Sequence, residues 1–298
     1  MSYHTVSEKI ANVFIGRRLK TEDISHQTAS NPTALAILAS DALSSVAYAT
    51  EEILIILNSA AIGTFTLIGF QGNGISIPIS IAIALLIAIV TISYRQTIYS
   101  NPAGGGGYRV AKENLGEELA QVTGAALLTD YILTVAVSIS AGVANVISVF
   151  PALLPHRVLL TVGIILFMAY INLRGVKESG FAFAIPTYFF IILMYITIAV
   201  GLIRYFSGTL GTVVDPPVIE MVQTQAVTLF LILRAFANGT SSVTGVEAIS
   251  NGITAFKTPH SKNAGTTLIW MAAILGSMML SITFLAVNIH ALPSESET

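Results

Sequence analysis

Residues 31–57, NPTALAILASDALSSVAYATEEILIIL, have the composition of a membrane-spanning helix that is interrupted in its middle. Both ends are apolar, whereas the centre contains Ser40, Asp41, Ser44 and Ser45. Ser and Asp side chains compete for backbone hydrogen bonds and favour caps and turns over helix interiors. A carboxylate at that depth in a bilayer is costly and needs a partner or water. Because secondary transporters build ion sites at breaks of this kind, we predict that the break is the functional centre of the chain.

Composition places the chain among membrane proteins. It has 298 residues, of which 54% are hydrophobic and 10% are charged, and its mean hydropathy is +0.77. Soluble domains carry about 25% charged residues. This deficit of charge, together with several long apolar runs, predicts an all-α polytopic protein whose surroundings are the lipid bilayer.

Several classes of chemistry are not expected. The chain has no cysteine, which excludes disulfides and thiolate chemistry, and its five histidines show no metal-ligand spacing. No nucleophile–base or metal constellation is visible in the sequence. We therefore expect that the protein is not an enzyme and that it has no cofactor, no resident metal and no nucleic-acid partner.

Seven apolar segments are predicted to cross the membrane. They are about residues 31–57, 75–93, 118–150, 158–173, 181–205, 226–253 and 264–287. Residues 1–30 are predicted to be a cytoplasmic tail, residues 31–205 a first five-span repeat, and residues 206–298 the start of a second repeat.

The first and sixth spans share a feature that indicates an internal repeat. The first is predicted to be broken near residues 40–45 and the sixth near residues 238–245, and each break contains the tripeptide Ser-Ser-Val. Five-plus-five inverted repeats place discontinuous helices at corresponding positions. The sequence therefore predicts an inverted-repeat fold with seven spans present and an incomplete second repeat. We expect the chain to be a truncated or fragmentary member of its family.

Basic side chains are concentrated in alternate loops. With a cytoplasmic N-terminus, the inner segments hold 11 of the 14 basic residues, namely Lys9, Arg17, Arg18, Lys20, Arg95, Arg109, Lys112, Arg174, Lys177, Lys257 and Lys262. Basic loops remain preferentially on the cytoplasmic side of a membrane. The count predicts a cytoplasmic N-terminus and places residue 298, after seven spans, on the outer side.

Five stretches, in order and spread over nearly the whole chain, carry a resemblance to a known family. They are GRRLKTEDI (16–24), ALAILASDALSSVAYATEEIL (34–54), NPAGGGGYRVAKENLG (101–116), LLTDYILTVAVSISAGV (127–143) and TGVEAISNGI (244–253). The chain resembles the amino acid–polyamine–cation (APC) permease superfamily, which has the LeuT-type fold. Within that superfamily it looks most like the KimA-type potassium–proton symporters of bacteria, which implies a multi-pass protein of the bacterial cell membrane.

Carried over residue by residue, the resemblance implies a set of cation contacts and an acid for proton coupling. The implied cation contacts are Asp41 and Tyr48 in the first span, Asp130, Tyr131, Thr134 and Ser138 in the third, and Thr244 in the sixth. Glu247 matches an acid that is associated with proton coupling. Family members continue with more spans and a cytosolic domain that senses cyclic di-AMP, so this regulation is not expected here, and a homodimer is left open.

The residue pattern supports part of this set independently. Tyr131, Thr134 and Ser138 recur at i, i+3 and i+7 and so share one helix face. Hydroxyl oxygens together with a carboxylate can hold a weakly hydrated monovalent cation. Alternatively, these hydroxyls bond back to carbonyls one turn earlier or join helices to each other. Asp41 likewise has two alternative roles, as a helix cap at the break or as the ion-pair partner of Arg234.

The glycine run at residues 104–107 is the remaining motif. A phosphate-binding loop is not indicated, because no Lys-Ser/Thr pair follows the run and no strand precedes it. We expect flexible or tightly packed backbone in a cytoplasmic loop, and the superfamily resemblance implies that this loop moves with the gate.

These observations predict a secondary transporter that imports potassium with protons. An amino acid or polyamine permease of the same fold is the alternative. Amino acid permeases offer bare backbone N–H groups at the first break to the substrate carboxylate, which Asp41 would repel, although an amine would still fit. A seven-span receptor is disfavoured because its N-terminus would lie on the opposite side of the membrane.

Overall fold

The computed structural model describes residues 28–58, 72–173, 176–213 and 228–291. The helices in these ranges are α1 (Asn31–Leu38), α2 (Ser40–Asn58), α3 (Ser76–Ser100), α4 (Gly106–Leu115), α5 (Glu117–Val149), α6 (Arg157–Asn172), α7 (Val176–Phe206), α8 (Leu229–Gly239), α9 (Ala248–Asn251) and α10 (His260–Asn288). Short 3₁₀ turns lie at Gly72–Ile75, Pro151–His156, Thr240–Val243 and Ile253–Ala255. The predicted tail up to residue 27, which includes GRRLKTEDI, lies outside the described residues.

The lengths and composition of the helices confirm an all-α polytopic fold. Within the described ranges, six helical segments, some of which include 3₁₀ turns, are long and apolar enough to cross a membrane. They are Ser76–Ser100, Glu117–Val149, Pro151–Asn172, Phe183–Phe206, Leu229–Asn251 and His260–Asn288, and the bent pair Asn31–Leu38 and Ser40–Leu57 makes seven if it is one span. No residue of α6 is buried. A helix that is apolar on every side and unburied within the protein has the surface expected of a lipid-facing span.

Two boundaries differ from the sequence prediction. Helix α3 continues to Ser100 instead of ending near residue 93, and Arg95 lies over the ring of Tyr99, 5.4 Å from its centroid. Cationic and aromatic side chains with long apolar parts extend a helix readily into the membrane interface. Residues 151–157, predicted to be a loop, form the 3₁₀ turn Pro151–His156 that leads directly into α6.

The interruption in the first span lies at Ala39. Helix α1 ends at Leu38, α2 begins at Ser40, and the segments are bent by 52° at this point. Residues 40–45, which the sequence predicted to be the interruption itself, form the first turns of α2. The first turn of a helix has unpaired N–H groups and favours negative charge, so Asp41 is stabilised there.

The sixth span is interrupted over a longer stretch. Helix α8 ends at Gly239 and is followed by the 3₁₀ turn Thr240–Val243, a turn at residues 244–247, and the single helical turn α9. Within this stretch Gly245 has a φ of +87°. This left-handed conformation is readily adopted only by glycine, and it directs the chain out of the helical path.

The chain forms two compact units. Of the described residues, the first contains 28–40, 95–173, 176–188 and 247–267, and the second 41–58, 72–94, 189–213, 228–246 and 268–291. In the first unit, Tyr188 donates a hydrogen bond to the carbonyl oxygen of Pro32 at 2.9 Å. A short parallel bridge joins Ala29 to the fully buried Phe256. These contacts attach α1 to α7 and to the segment that follows the sixth span.

In the second unit, glycine and hydroxyl contacts bring helices close together. A Cβ atom on Gly239 would lie 2.6 Å from the Cδ1 atom of Ile83 and 2.7 Å from that of Ile53. The hydroxyl oxygens of Thr50 and Thr283 are 3.0 Å apart and hydrogen-bonded. Lipid is as apolar as the side chains of membrane helices, so burial of apolar surface does not drive these helices together. They associate instead through close packing at small residues and through hydrogen bonds between hydroxyl groups.

Candidate functional site

Asp41 and Gly245 bring the two breaks into contact within the second unit. A Cβ atom on Gly245 would lie 2.9 Å from Oδ2 of Asp41 and 3.0 Å from the amide nitrogen of Ala42. Because Gly245 also has a positive φ, both the backbone conformation and the available space require glycine here. The first turn of α2 is therefore packed directly on the unwound part of the sixth span.

Tyr48 is connected to the backbone of Asp41 through Ser45. The Tyr48 hydroxyl donates to Oγ of Ser45 at 3.1 Å, and that hydroxyl donates to the Asp41 carbonyl oxygen at 3.2 Å. Ser44 donates to the same carbonyl oxygen at 2.7 Å. Both serine hydroxyls therefore bond back within α2, as short polar side chains do in helices. Asp41 differs from them because its carboxylate lies against Gly245.

Thr244 belongs to the same unit and immediately precedes Gly245. It follows the 3₁₀ turn in an extended conformation, with φ −61° and ψ 139°. Its backbone N–H donates to the carbonyl oxygen of Ser241 at 3.1 Å. Backbone of this irregular kind inside a span is tolerated only where protein or a water-filled cavity surrounds it. Three predicted cation contacts, Asp41, Tyr48 and Thr244, thus belong to the second unit.

Arg234 does not neutralise the acidic residues at the breaks. It is exposed on α8 and forms no ion pair with any residue that the structure describes. The alternative in which Asp41 is the ion-pair partner of Arg234 is therefore without support. The capping alternative for Asp41 is compatible with the structure, because this residue lies in the first turn of α2.

The other five predicted residues lie in the first unit. On α5, Thr134 is 8% exposed, whereas the neighbouring apolar residues Ile132 and Leu133 are 61% and 59% exposed. Tyr131 and Ser138, which share the Thr134 face, are intermediate in exposure. The polar face of α5 is thus the shielded one and the apolar face the exposed one, as expected of a span with lipid outside and polar groups inside.

Asp130 and Glu247 complete the predicted set in this unit. Asp130 immediately precedes Tyr131 on α5 and is partly exposed. Glu247 is 7% exposed and directly precedes α9. Its carbonyl oxygen accepts a hydrogen bond from the backbone N–H of Asn251 at 2.9 Å. A buried carboxyl group inside a span is a functional candidate unless a structural partner explains it.

Sequence reasoning missed Asn251, which contacts a predicted site residue directly. The Nδ2 group of Asn251 donates a hydrogen bond to the hydroxyl oxygen of Tyr131 at 2.7 Å. The carbonyl oxygen of Asn251 accepts from the N–H of Gly105 at 3.3 Å. In the sequence, Asn251 is a polar residue followed by glycine after the second break, and no spacing rule links it to a residue 120 positions away.

Comparison with known proteins agrees with these features. Residues 50–296 match the family model described as amino acid permease. The chain is 42% identical to the potassium transporter KimA of Bacillus subtilis (strain 168) over 301 aligned residues, which cover 99% of this chain. It spans about half the length of that curated relative, 47%.

The family match includes α3 and α5, the broken sixth span, and both Asp130 and Glu247. A transporter family and a set of long apolar helices together make the protein a multi-pass membrane protein. Since the matched region is far more than half of the chain, the chain belongs to the amino acid permease family.

Proposed function

We propose that this permease imports potassium ions together with protons. The observation that carries the proposal is the position of Asp41, whose carboxylate lies in the first turn of α2 against Gly245 of the second break. In broken-helix transporters the substrate and coupling ions bind at such interruptions. A fixed negative charge there attracts a cation and repels the carboxylate of an amino acid.

The proposed cation ligands are the residues that the sequence identified. Asp41, Tyr48 and Thr244 form the group in the second unit, and Asp130, Tyr131, Thr134 and Ser138 the group in the first. Carboxylate and neutral oxygens are the donors that alkali cations bind in proteins and filters. The 42% identity to a protein whose name is potassium transporter favours potassium among the cations.

Glu247 is proposed as the acid that couples proton movement to the cation. It is buried, it lies one helical turn from Asn251, and its segment is bonded to α5 through Tyr131. Chains of acidic side chains inside spans are a common proton path in pumps and transporters. We further propose a bacterial cell membrane location with the N-terminus in the cytoplasm, which the distribution of basic residues supports.

A polyamine or amino acid is the second candidate substrate, and the family description names amino acids. An amine nitrogen would interact with Asp41 as a potassium ion would, so a polyamine is compatible with the geometry. An amino acid is less so, because its carboxylate would compete with Asp41 for the N-terminal turn of α2.

A thermal-unfolding screen of the purified chain in detergent separates these substrates. A ligand that binds only the native state stabilises it by RT ln(1 + [L]/Kd), so at equal concentrations the tighter ligand raises the melting temperature more. At constant ionic strength, potassium and rubidium chloride are expected to stabilise the protein more than sodium or choline chloride. Stabilisation by putrescine or alanine, with no difference between potassium and choline, would replace the proposal with the second candidate.

A further inference from the structure

Three glycines of the run at residues 104–107 form a close-fitting seat around Asn251. Gly104, Gly105 and Gly106 have φ values of +79°, +93° and +43°. A Cβ atom on Gly106 would lie 1.9 Å from Oδ1 of Asn251, and one on Gly104 would lie 2.9 Å from its carbonyl oxygen. These three residues are called the glycine seat below. Gly104 and Gly106 leave space for Asn251 only because they have no side chains, and Gly105 contributes its backbone N–H.

The glycine seat fixes both ends of Asn251. Its carbonyl oxygen accepts the N–H of Gly105, and its side-chain oxygen lies directly on Gly106. With its oxygen against Gly106, the amide directs its nitrogen towards α5, where it donates to the Tyr131 hydroxyl at 2.7 Å.

The seat is itself attached to α5, the helix that carries Tyr131. A Cβ atom on Gly124 of α5 would lie 3.3 Å from the ring of Tyr108, which follows the seat on α4. The Tyr108 hydroxyl donates to Oε1 of Glu117 at 3.2 Å. Tyr108 therefore contacts α5 at Gly124 and at Glu117. Asn251, which lies on the glycine seat, contacts the same helix at Tyr131.

We infer that Asn251 is a positioning residue which, held by the glycine seat, sets the direction of the Tyr131 hydroxyl in cation binding. A phenol oxygen that accepts a strong hydrogen bond from a fixed amide has one remaining acceptor direction. Fixing that direction pre-organises the oxygen, and pre-organisation lowers the ordering cost of binding. The inference rests on the proposed function, because it assigns Asn251 a role towards potassium through Tyr131.

The test measures the dissociation constant for potassium, fitted from the dependence of the melting temperature of the purified chain on potassium concentration. This concentration is called the potassium midpoint below. Asn251→Ala removes the donor, and Gly106→Ala displaces the amide without changing its chemistry. Each is expected to raise the potassium midpoint about fivefold, the effect of losing one ordinary hydrogen bond. Asn114→Ala and Gly116→Ala are the matched controls. Asn114 bonds to the Val110 carbonyl oxygen on an exposed surface, and Gly116 has a φ of +92° with open space around it.

A double-mutant cycle with Tyr131→Phe distinguishes positioning from general destabilisation. If Asn251 acts through Tyr131, Asn251→Ala has no further effect on the potassium midpoint in the Tyr131→Phe background. An unchanged midpoint in Asn251→Ala, or an equal shift with and without the Tyr131 hydroxyl, would overturn the inference while leaving the proposed function intact.

A parent chain without any potassium response would instead refute the proposed function. In that case, the melting temperatures of Asn251→Ala, Tyr131→Phe and the double variant in choline chloride decide whether the Asn251–Tyr131 hydrogen bond positions Tyr131. Coupled losses of stability would show that Asn251 still fixes the tyrosine in the absence of cation. Additive losses would mean that the contact has no positioning effect and that the inference is wrong as well.

Discussion

The carboxylate oxygen Oδ2 of Asp41 lies 2.9 Å from the point where Gly245 would carry a Cβ atom. These two residues belong to different interrupted spans, and their contact joins the acidic start of α2 to the left-handed turn of the sixth span. The close approach places a negative charge beside backbone that is not helical. Substitutions at this contact and on the shielded face of α5 are therefore expected to change cation binding.

Gly245→Ala is expected to abolish the stabilisation by potassium. The new methyl group would overlap Oδ2 of Asp41, and alanine at φ +87° adds backbone strain of about 1 kcal/mol. Gly208→Ala is the control, because Gly208 has a φ of +69° and nothing lies within 4 Å of the position that its new methyl group would take. Backbone strain lowers the melting temperature in both potassium and choline chloride, whereas loss of cation binding removes the difference between the two salts. Melting curves of both variants in the two salts therefore separate the two effects. Equal potassium responses in the two variants would show that the Asp41–Gly245 contact has no bearing on cation binding.

Thr134→Val is expected to weaken potassium binding by about 1 kcal/mol, which is roughly fivefold in the midpoint. Valine keeps the shape of threonine and removes one hydroxyl oxygen from the shielded face of α5. Thr129→Val is the matched control, since Thr129 is exposed on the same helix and bonds back to the Ala125 carbonyl oxygen. The assignment of this face fails if both variants bind potassium as the parent does.

Glu247→Gln is expected to make the potassium midpoint independent of pH. We expect proton and potassium to bind cooperatively to a coupled importer, and linkage makes that effect reciprocal. In the parent, potassium should therefore bind more tightly as the pH is lowered from about 8.5 to 5.5, within the range where coupled acids titrate. Glutamine mimics the protonated acid, so this variant should keep the low-pH midpoint throughout. Glu113→Gln, on the exposed surface of α4, is the control.

If the pH dependence of the midpoint survives in Glu247→Gln, another group carries the proton. Glu51 and Glu52 on α2 would then be the next residues to replace.

Membrane orientation can be tested with single cysteines, because the native chain has none. Asn114→Cys on α4 is predicted to be cytoplasmic, and Gly211→Cys, exposed after α7, is predicted to face outwards. A membrane-impermeant maleimide should label only Gly211→Cys in intact cells and both variants after lysis. Labelling of Asn114→Cys alone in intact cells would reverse the proposed orientation.

The fold class and the shielded face of α5 follow from local patterns in the sequence. Long apolar runs define the spans whatever their neighbours are, and the spacing of Tyr131, Thr134 and Ser138 fixes a common face by helix geometry alone. The break in the first span was predicted a few residues late. Ser40 and Asp41 favour a helix start as strongly as a helix interruption, and the structure uses them to begin α2 after Ala39.

The contacts of Gly245 and Asn251 could not be predicted from local pattern. Gly245 is required by a side chain on another span, and Asn251 by glycines from a preceding loop. Neither contact follows from a fixed spacing of residues in the sequence, because both arise from packing between distant segments. The glycine run was predicted to be flexible or tightly packed, and the structure shows the second.

Asp41 is proposed to provide the negative charge that binds the cation. Equilibrium binding of rubidium-86 to the purified chain in detergent tests this role most directly, with Asp41→Asn as the variant and Glu113→Gln as the matched removal of a surface carboxylate. The parent and Glu113→Gln are expected to bind rubidium saturably, with displacement by unlabelled potassium but not by sodium. Asp41→Asn is expected to show no saturable binding while it retains its melting temperature in choline. Rubidium binding by Asp41→Asn equal to that of the parent, or its absence from the folded parent, would contradict the proposed role of Asp41.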